Sequence, residues 1–144
     1  MNHAKHLIES KGNEIWSIGP DATVLDAISL MAEKRIGALL VMNDNELQGV
    51  FSERDYARKV VLRGKSSRKT AVSEIMSSEV VTADPSNSVE ECMSLMTENR
   101  VRHLPVVTDN QVVGVLSIGD LVKAIIDEQQ FKIEQLENFI TTGY

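Results

Sequence analysis

Apolar positions along this chain alternate between two periods, and the alternation occurs twice. Val24, Ala27, Ile28 and Met31 fall at i, i+3, i+4 and i+7, one face of a helix spanning Ala22 to Arg35. An apolar run from Ala38 to Met42, the pair Asp44-Asn45 and a second run from Leu47 to Phe51 read as two strands around a turn. Another helix is expected from Ser52. The same succession returns as Val89, Cys92, Met93 and Met96, then Leu104 to Val107, Asp109-Asn110, Val112 to Leu116, and a helix from Ser117. Short strands around Ile15 to Ile18 and Val80 to Thr82 would complete each β-α-β-β-α unit. Pro20 and Pro85 keep the first helices from extending backwards.

The two stretches Pro20 to Tyr56 and Pro85 to Leu121 align without a gap at a constant shift of 65 positions, and 15 of the 37 pairs are identical. A unit of this length does not bury its apolar face alone. The fold class is therefore α/β: two tandem repeats packed around a pseudo-twofold axis, with the cleft between them as the natural ligand site. The expected boundaries are 15–63 for the first repeat, 64–79 for a linker, 80–126 for the second repeat and 127–144 for a helical extension, all within one module. The linker from Arg63 to Val72 reads as exposed, and Ser73 to Met76 as a short helical turn. In the extension, Val122, Ile125, Ile126, Ile133, Leu136, Phe139 and Ile140 keep helical spacing well past the repeat. Such a stripe needs a partner, and a homodimer is expected.

Composition narrows the classes. With 144 residues and 42% hydrophobic content the chain can build an ordinary core. The single Cys92 excludes an intramolecular disulfide, fits a reducing compartment and reads as a small core residue. No apolar run approaches the ~20 residues of a membrane span, so no membrane partner and a cytoplasmic location are expected. A net charge of −6 argues against nucleic acid as a partner. The cations are nonetheless clustered: Arg54, Arg58, Lys59, Arg63, Lys65, Arg68 and Lys69 lie within 16 positions. They read as a solvated helix face and polar linker, or as a local site for anions such as phosphates.

Candidate chemistry sits in Gly49-Val50-Phe51-Ser52-Glu53-Arg54-Asp55 and Gly114-Val115-Leu116-Ser117-Ile118-Gly119-Asp120. Both strings have Ser and Asp three apart at a strand-to-helix junction. That is a capping box, worth ~1 kcal/mol, and it accounts for all four residues without a ligand. The same place also suits a nucleotide. Helix N-terminal N–H groups attract phosphate, and an ionised Asp can accept both hydroxyls of a ribose. Capping alone does not decide between these readings. Arg54 stands in a first helical turn, where a cation opposes the helix dipole, so phosphate contact is its expected role.

The duplicated Gly-x-x-Ser-x-x-Asp strings, their order and the strand Arg102-His103-Leu104-Pro105-Val106-Val107 resemble a pair of CBS domains, the family named after cystathionine β-synthase, from about Ile15 to Ile126. Small stand-alone bacterial pairs are similar in the string from Ser52 to Arg58 and in the long last helix. The resemblance implies a regulatory Bateman module that senses adenine nucleotides, with AMP the leading ligand and ADP, ATP, NAD or S-adenosylmethionine as others. It implies two pseudo-equivalent clefts. In one, Asp120 holds the ribose, Ser117 supports sugar or phosphate and Val115 packs on the base, opposite Gly19, Val24, Ile36, Gly37 and Ala38. In the other, Asp55, Ser52 and Val50 face Asp84, Val89, Val101, Arg102 and His103, the last two meeting phosphates. The Asp120 cleft is favoured for adenosine. No catalytic or metal-ligating constellation is present in the sequence, so a binding module that signals to a separate protein effector is expected. The alternatives are a structural homodimerisation module with vestigial clefts and a nucleotide-processing enzyme.

Overall fold

The computed structural model describes residues 3–12 and 14–142. These form two compact units: the first-repeat unit holds 14–81 and 109–112, the second-repeat unit the described residues of 1–13, 82–108 and 113–144.

In the first-repeat unit, β1 (Ser17–Ile18) pairs parallel with β2 (Ala38–Asn43), and β2 pairs antiparallel with β3 (Glu46–Ser52). Asp44 and Asn45 both take positive φ, 48° and 69°, as a two-residue hairpin whose twist matches its strands requires. The helix α2 (Val24–Lys34) starts in a capping box: the Asp26 N–H donates to Thr23 Oγ1, and the Thr23 N–H to Asp26 Oδ2. Its apolar face, Val24, Ala27 and Met31, packs with Leu39, Val41, Phe51, Val60, Val72 and Ile75. Leu39 and Phe51 are register partners on one sheet face, so a single cross-strand pair anchors this core. After β3 the chain makes the short α3 (Glu53–Asp55), a π-helical stretch (Tyr56–Val61) that brings Val60 inward, and α4 (Val72–Ile75). The linker is less open than its composition suggests. Thr70 is buried, and the carbonyls of Thr70 and Ser67 accept the N–H groups of Val24 and Leu25, which lack partners within α2.

The second-repeat unit carries α5 (Val89–Asn99) and a two-stranded sheet of β4 (His103–Thr108) and β5 (Gln111–Ser117). Ser88 and Glu91 repeat the capping box of α2, and Arg100 repeats the left-handed C-cap of Arg35. The strand expected at Val80 to Thr82 does not form; one parallel bridge, Ala83 to Val106, stands in its place. Pro105 supplies the reason. Its counterpart Leu40 donates its N–H to the Trp16 carbonyl in the β1–β2 pairing, and proline has no N–H to donate. Cys92 is buried in α5, and burial, then the neighbouring Glu91 charge, push its thiol pKa up, as a core residue requires.

The helices that precede each repeat dock alike. The first N–H groups of α4, at Val72 and Ser73, donate to the carbonyls of Ala22 and Pro20. Those of α1 (Ala4–Lys11), at Ala4 and Lys5, donate to Asn87 and Pro85, the equivalent positions of the second repeat. The last helix, α6 (Ile118–Thr142), packs through Leu121 with Ala124, Ile125 and Glu128 half-buried; from Gln129 to Thr141 every residue is exposed. No described helix is long and apolar enough to cross a membrane.

Candidate functional site

Both Ser-x-x-Asp strings fold as capping boxes at a strand-to-helix junction. In the first-repeat unit the Ser52 N–H donates to Asp55 Oδ2 at 3.0 Å and the Asp55 N–H to Ser52 Oγ at 3.2 Å. In the second, the Ser117 N–H donates to Asp120 Oδ2 at 2.7 Å and the Asp120 N–H to Ser117 Oγ at 3.2 Å. The start of the preceding strand is tied to the same point in each. The Glu53 N–H donates to the Gly37 carbonyl, and the Ile118 N–H to the Arg102 carbonyl. Ile36, Gly37 and Ala38 thus lie beside Val50, Ser52 and Asp55. Val101, Arg102 and His103 lie beside Val115, Ser117 and Asp120.

The leading glycines are explained by what crosses their strand. A Cβ on Gly49 would stand 2.7 Å from the Ser77 carbonyl oxygen and from Met76 Sδ; one on Gly114 would meet Ile8 of α1. Ile8 is the fifth residue of α1, and Met76, the C-cap of the four-residue α4, holds the equivalent place beside a helix docked in the same way. From there the two units diverge. The chain leaves α4 extended, and Ser77 exchanges both backbone hydrogen bonds with Val50. Its hydroxyl also reaches Asp55 Oδ1, which pairs in addition with Lys59 at 3.2 Å. In the other unit α1 stays helical to Lys11. The Lys11 ammonium donates to the Val115 carbonyl and to Asp120 Oδ2, both at 2.7 Å. One lysine therefore fills both places that Ser77 fills for the first repeat.

The two carboxylates are consequently unlike. Both oxygens of Asp55 are engaged within its own unit. The hydrogen bonds to Asp120 all fall on Oδ2, and Oδ1 accepts none among the described residues. Burial alone would raise the Asp120 pKa. The Lys11 hydrogen bond, the Ser117 N–H, the Lys11 charge and the Ser117 hydroxyl together outweigh it and hold the carboxyl below the usual range.

Not every expected residue lies at these junctions. Val24 is wholly buried in its core, with no side-chain surface for a base, because its place on the inner face of α2 also makes it part of the packing. Val89 is buried likewise. Gly19 is exposed after β1, and Arg54 is exposed without an ion pair among the described residues. The Asp84 carboxyl is taken up by its own turn, accepting the Ser86 hydroxyl and N–H, which keep its pKa low. Sequence reasoning missed Lys11 and Ser77 altogether. Lys11 meets an aspartate 109 positions away, and no local pattern marks such a pair.

Comparison with known proteins agrees with the duplicated geometry. The family model described as "CBS domain" matches twice, at residues 11–62 and 72–127. A mitochondrial CBS domain-containing protein of Arabidopsis thaliana, CBSX3, is 40% identical over 138 residues, which cover 92% of this chain and 66% of that protein. The solved structure of a candidate signal-transduction protein with CBS domains from Burkholderia ambifaria shares 49% identity with a TM-score of 0.84, covering 90% of this chain and 96% of the other. The CBS domain pair of MJ0100, solved with 5′-methylthioadenosine and S-adenosyl-L-methionine, shares the fold at a TM-score of 0.79 and 20% identity, covering 89% of this chain and 98% of that one. Two family matches in tandem, carried on two copies of the same capped junction, make this chain a member of the CBS domain family, built as a CBS-domain pair.

Proposed function

We propose that the chain is a regulatory module that binds an adenosine nucleotide, with the ribose held at Asp120. The observation that carries this reading is the asymmetry of the two carboxylates. Asp120 is held ionised at a helix N-terminus with Oδ1 uncommitted, and a lysine ammonium stands 2.7 Å from its other oxygen. A nucleoside phosphate needs an anionic acceptor for its sugar diol and a cation for its phosphate, and this junction offers both. Binding of adenosine compounds by the MJ0100 domain pair supports the ligand class. AMP is the leading candidate, with ADP, ATP, NAD and S-adenosylmethionine to be compared. Ser117 and Val115 belong to the same junction and are assigned to the sugar or phosphate and to the base; Ile36, Gly37 and Ala38 offer backbone and small apolar surface at the equivalent junction of Asp55. Arg102 and His103 at this junction, and Arg54 at the junction of Asp55, are the residues assigned to phosphate contact. The module acts by binding rather than by catalysis, and its output passes to a separate protein effector once ligand affinity differs between two arrangements of the module.

Calorimetry with the five ligands tests the reading. Asp120→Ala removes two charge-assisted hydrogen bonds, each worth about 1.5–3 kcal/mol, and is expected to weaken the best ligand at least tenfold, while Asp55→Ala leaves its affinity within about twofold. Equal affinities for wild type and Asp120→Ala would overturn the assignment. Arg54→Ala should weaken ligands bearing phosphate while leaving ligand-free stability unchanged.

A further inference from the structure

We infer that the distal half of α6 forms a parallel two-stranded coiled coil with a second copy of this chain. Val122, Ile126, Gln129, Ile133, Leu136 and Ile140 follow one another at spacings of four, three, four, three and four, an unbroken a/d seam. The face that α6 turns to its own unit is a different one. It runs through Leu121, Ile125 and Glu128, each one residue, or about 100°, around the helix from the seam. All the apolar seam residues are exposed, from Val122 at 43% to Ile140 at 75%. A helical stretch of this length with nothing packed on it is marginal in water, so its regularity calls for a partner.

Three features identify that partner as the same chain in parallel register. Isoleucine occupies each of the three a positions, and with Leu136 at d this is the choice that favours two parallel strands; Val122 and Gln129 take the other d positions. Gln129 is the single polar residue in the seam, and it lies opposite its own copy only when the helices are in register. Lys132 falls at g and Glu137 at e of the following heptad. In a parallel pair these two face each other across the seam, twice per dimer. Among the described residues Lys132 pairs only with Glu128, an i,i+4 contact at 3.3 Å that it can exchange at little cost. Phe139 at g borders the seam and would widen the covered surface; Phe131 lies off it. The seam is under three heptads long, so the coiled coil depends on the folded unit that anchors its start.

Sedimentation equilibrium of the full chain, without nucleotide, tests the inference. The expected result is a dimer that Leu136→Glu weakens on the order of 100-fold, since two leucines leave the seam and two charges enter it. Far-ultraviolet circular dichroism of the same variant should show the folded units retained. Lys132→Glu and Glu137→Lys should each weaken the dimer, and mixing the two variants should restore it as a heterodimer. Ile140→Cys should cross-link to its own copy on oxidation, Cys92 being buried. A monomeric wild type, or a dimer indifferent to Leu136→Glu, overturns the coiled coil. A dimer that neither responds to the charge swaps nor cross-links at position 140 overturns the parallel register. None of these readouts involves ligand, so they stand apart from the test of nucleotide binding.

Discussion

At the scale of single residues, one lysine makes two equivalent aspartates unlike. Lys11 satisfies the Val115 carbonyl and Asp120 Oδ2, whereas Ser77 and Lys59 both engage Asp55 Oδ1 and Ser52 engages Oδ2. The lowered pKa of Asp120 means that the folded state favours its carboxylate. The sign follows from linkage: this stabilisation is present in full above the ordinary carboxylate range and is lost as pH falls through the folded-state pKa. Replacing Lys11 with methionine removes the ammonium contacts to Val115 and Asp120, so the variant's unfolding midpoint in urea should fall less steeply than that of wild type between about pH 5 and pH 2. At neutral pH the variant should lose about 0.5–1 kcal/mol, both partners being partly exposed. Identical pH profiles would show the ion pair to be energetically silent. A second residue-scale expectation concerns capping: Ser117→Ala should destabilise by about 1 kcal/mol through loss of the acceptor for the Asp120 N–H, measured by chemical denaturation.

At the scale of elements, the glycines of the two strings report on the helices that cross them. An alanine at Gly49 meets a backbone carbonyl as well as Met76, and the backbone cannot turn aside. At position 114 the obstruction is the Ile8 side chain alone. Gly49→Ala and Gly114→Ala should each cost about 1–3 kcal/mol by overpacking. Ile8→Ala should relieve part of the second cost, whereas Met76→Ala should relieve less of the first. Equal rescue in the two double variants would contradict the crossing geometry. Most of this was not readable in advance. The string Gly-x-x-Ser-x-x-Asp locates the strand end, the cap and the carboxylate, all within seven residues. The crossing partners come from α1 and from the segment after α4, and nothing near Gly114 in sequence points to Ile8. The missing strand before α5 lies between these cases, because Pro105 was visible but the N–H it lacks matters only once Leu40 and Trp16 are seen to pair.

At the scale of the whole chain, ligand binding is a stability statement. A nucleotide at 100 times its dissociation constant should stabilise the folded protein by about 2.7 kcal/mol and raise its melting temperature by roughly 5–10 °C. Absence of any shift with AMP, ADP, ATP, NAD and S-adenosylmethionine would favour a dimerisation module whose capped junctions serve no ligand. The heptad seam makes concentration a second variable, so thermal shifts are comparable only at one protein concentration.

The sequence by itself determined the duplicated α/β plan, the hairpin turns at Asp44-Asn45 and Asp109-Asn110, the Ser/Asp caps and the apolar seam of the last helix. Each of these is local: a few neighbouring residues fix the backbone angles, the cap or the helical face, and a repeat declares itself by its second copy. Only the tertiary structure decided which aspartate keeps an oxygen uncommitted, because that depends on a lysine in α1 and a serine beyond α4, each brought in by the docking of its helix within its own unit. It also decided that Val24 belongs to the core and that the seam of α6 faces away from its own unit. Burial and long-range pairing are properties of packing, and a single strand of letters carries them only where its local pattern leaves one way to pack.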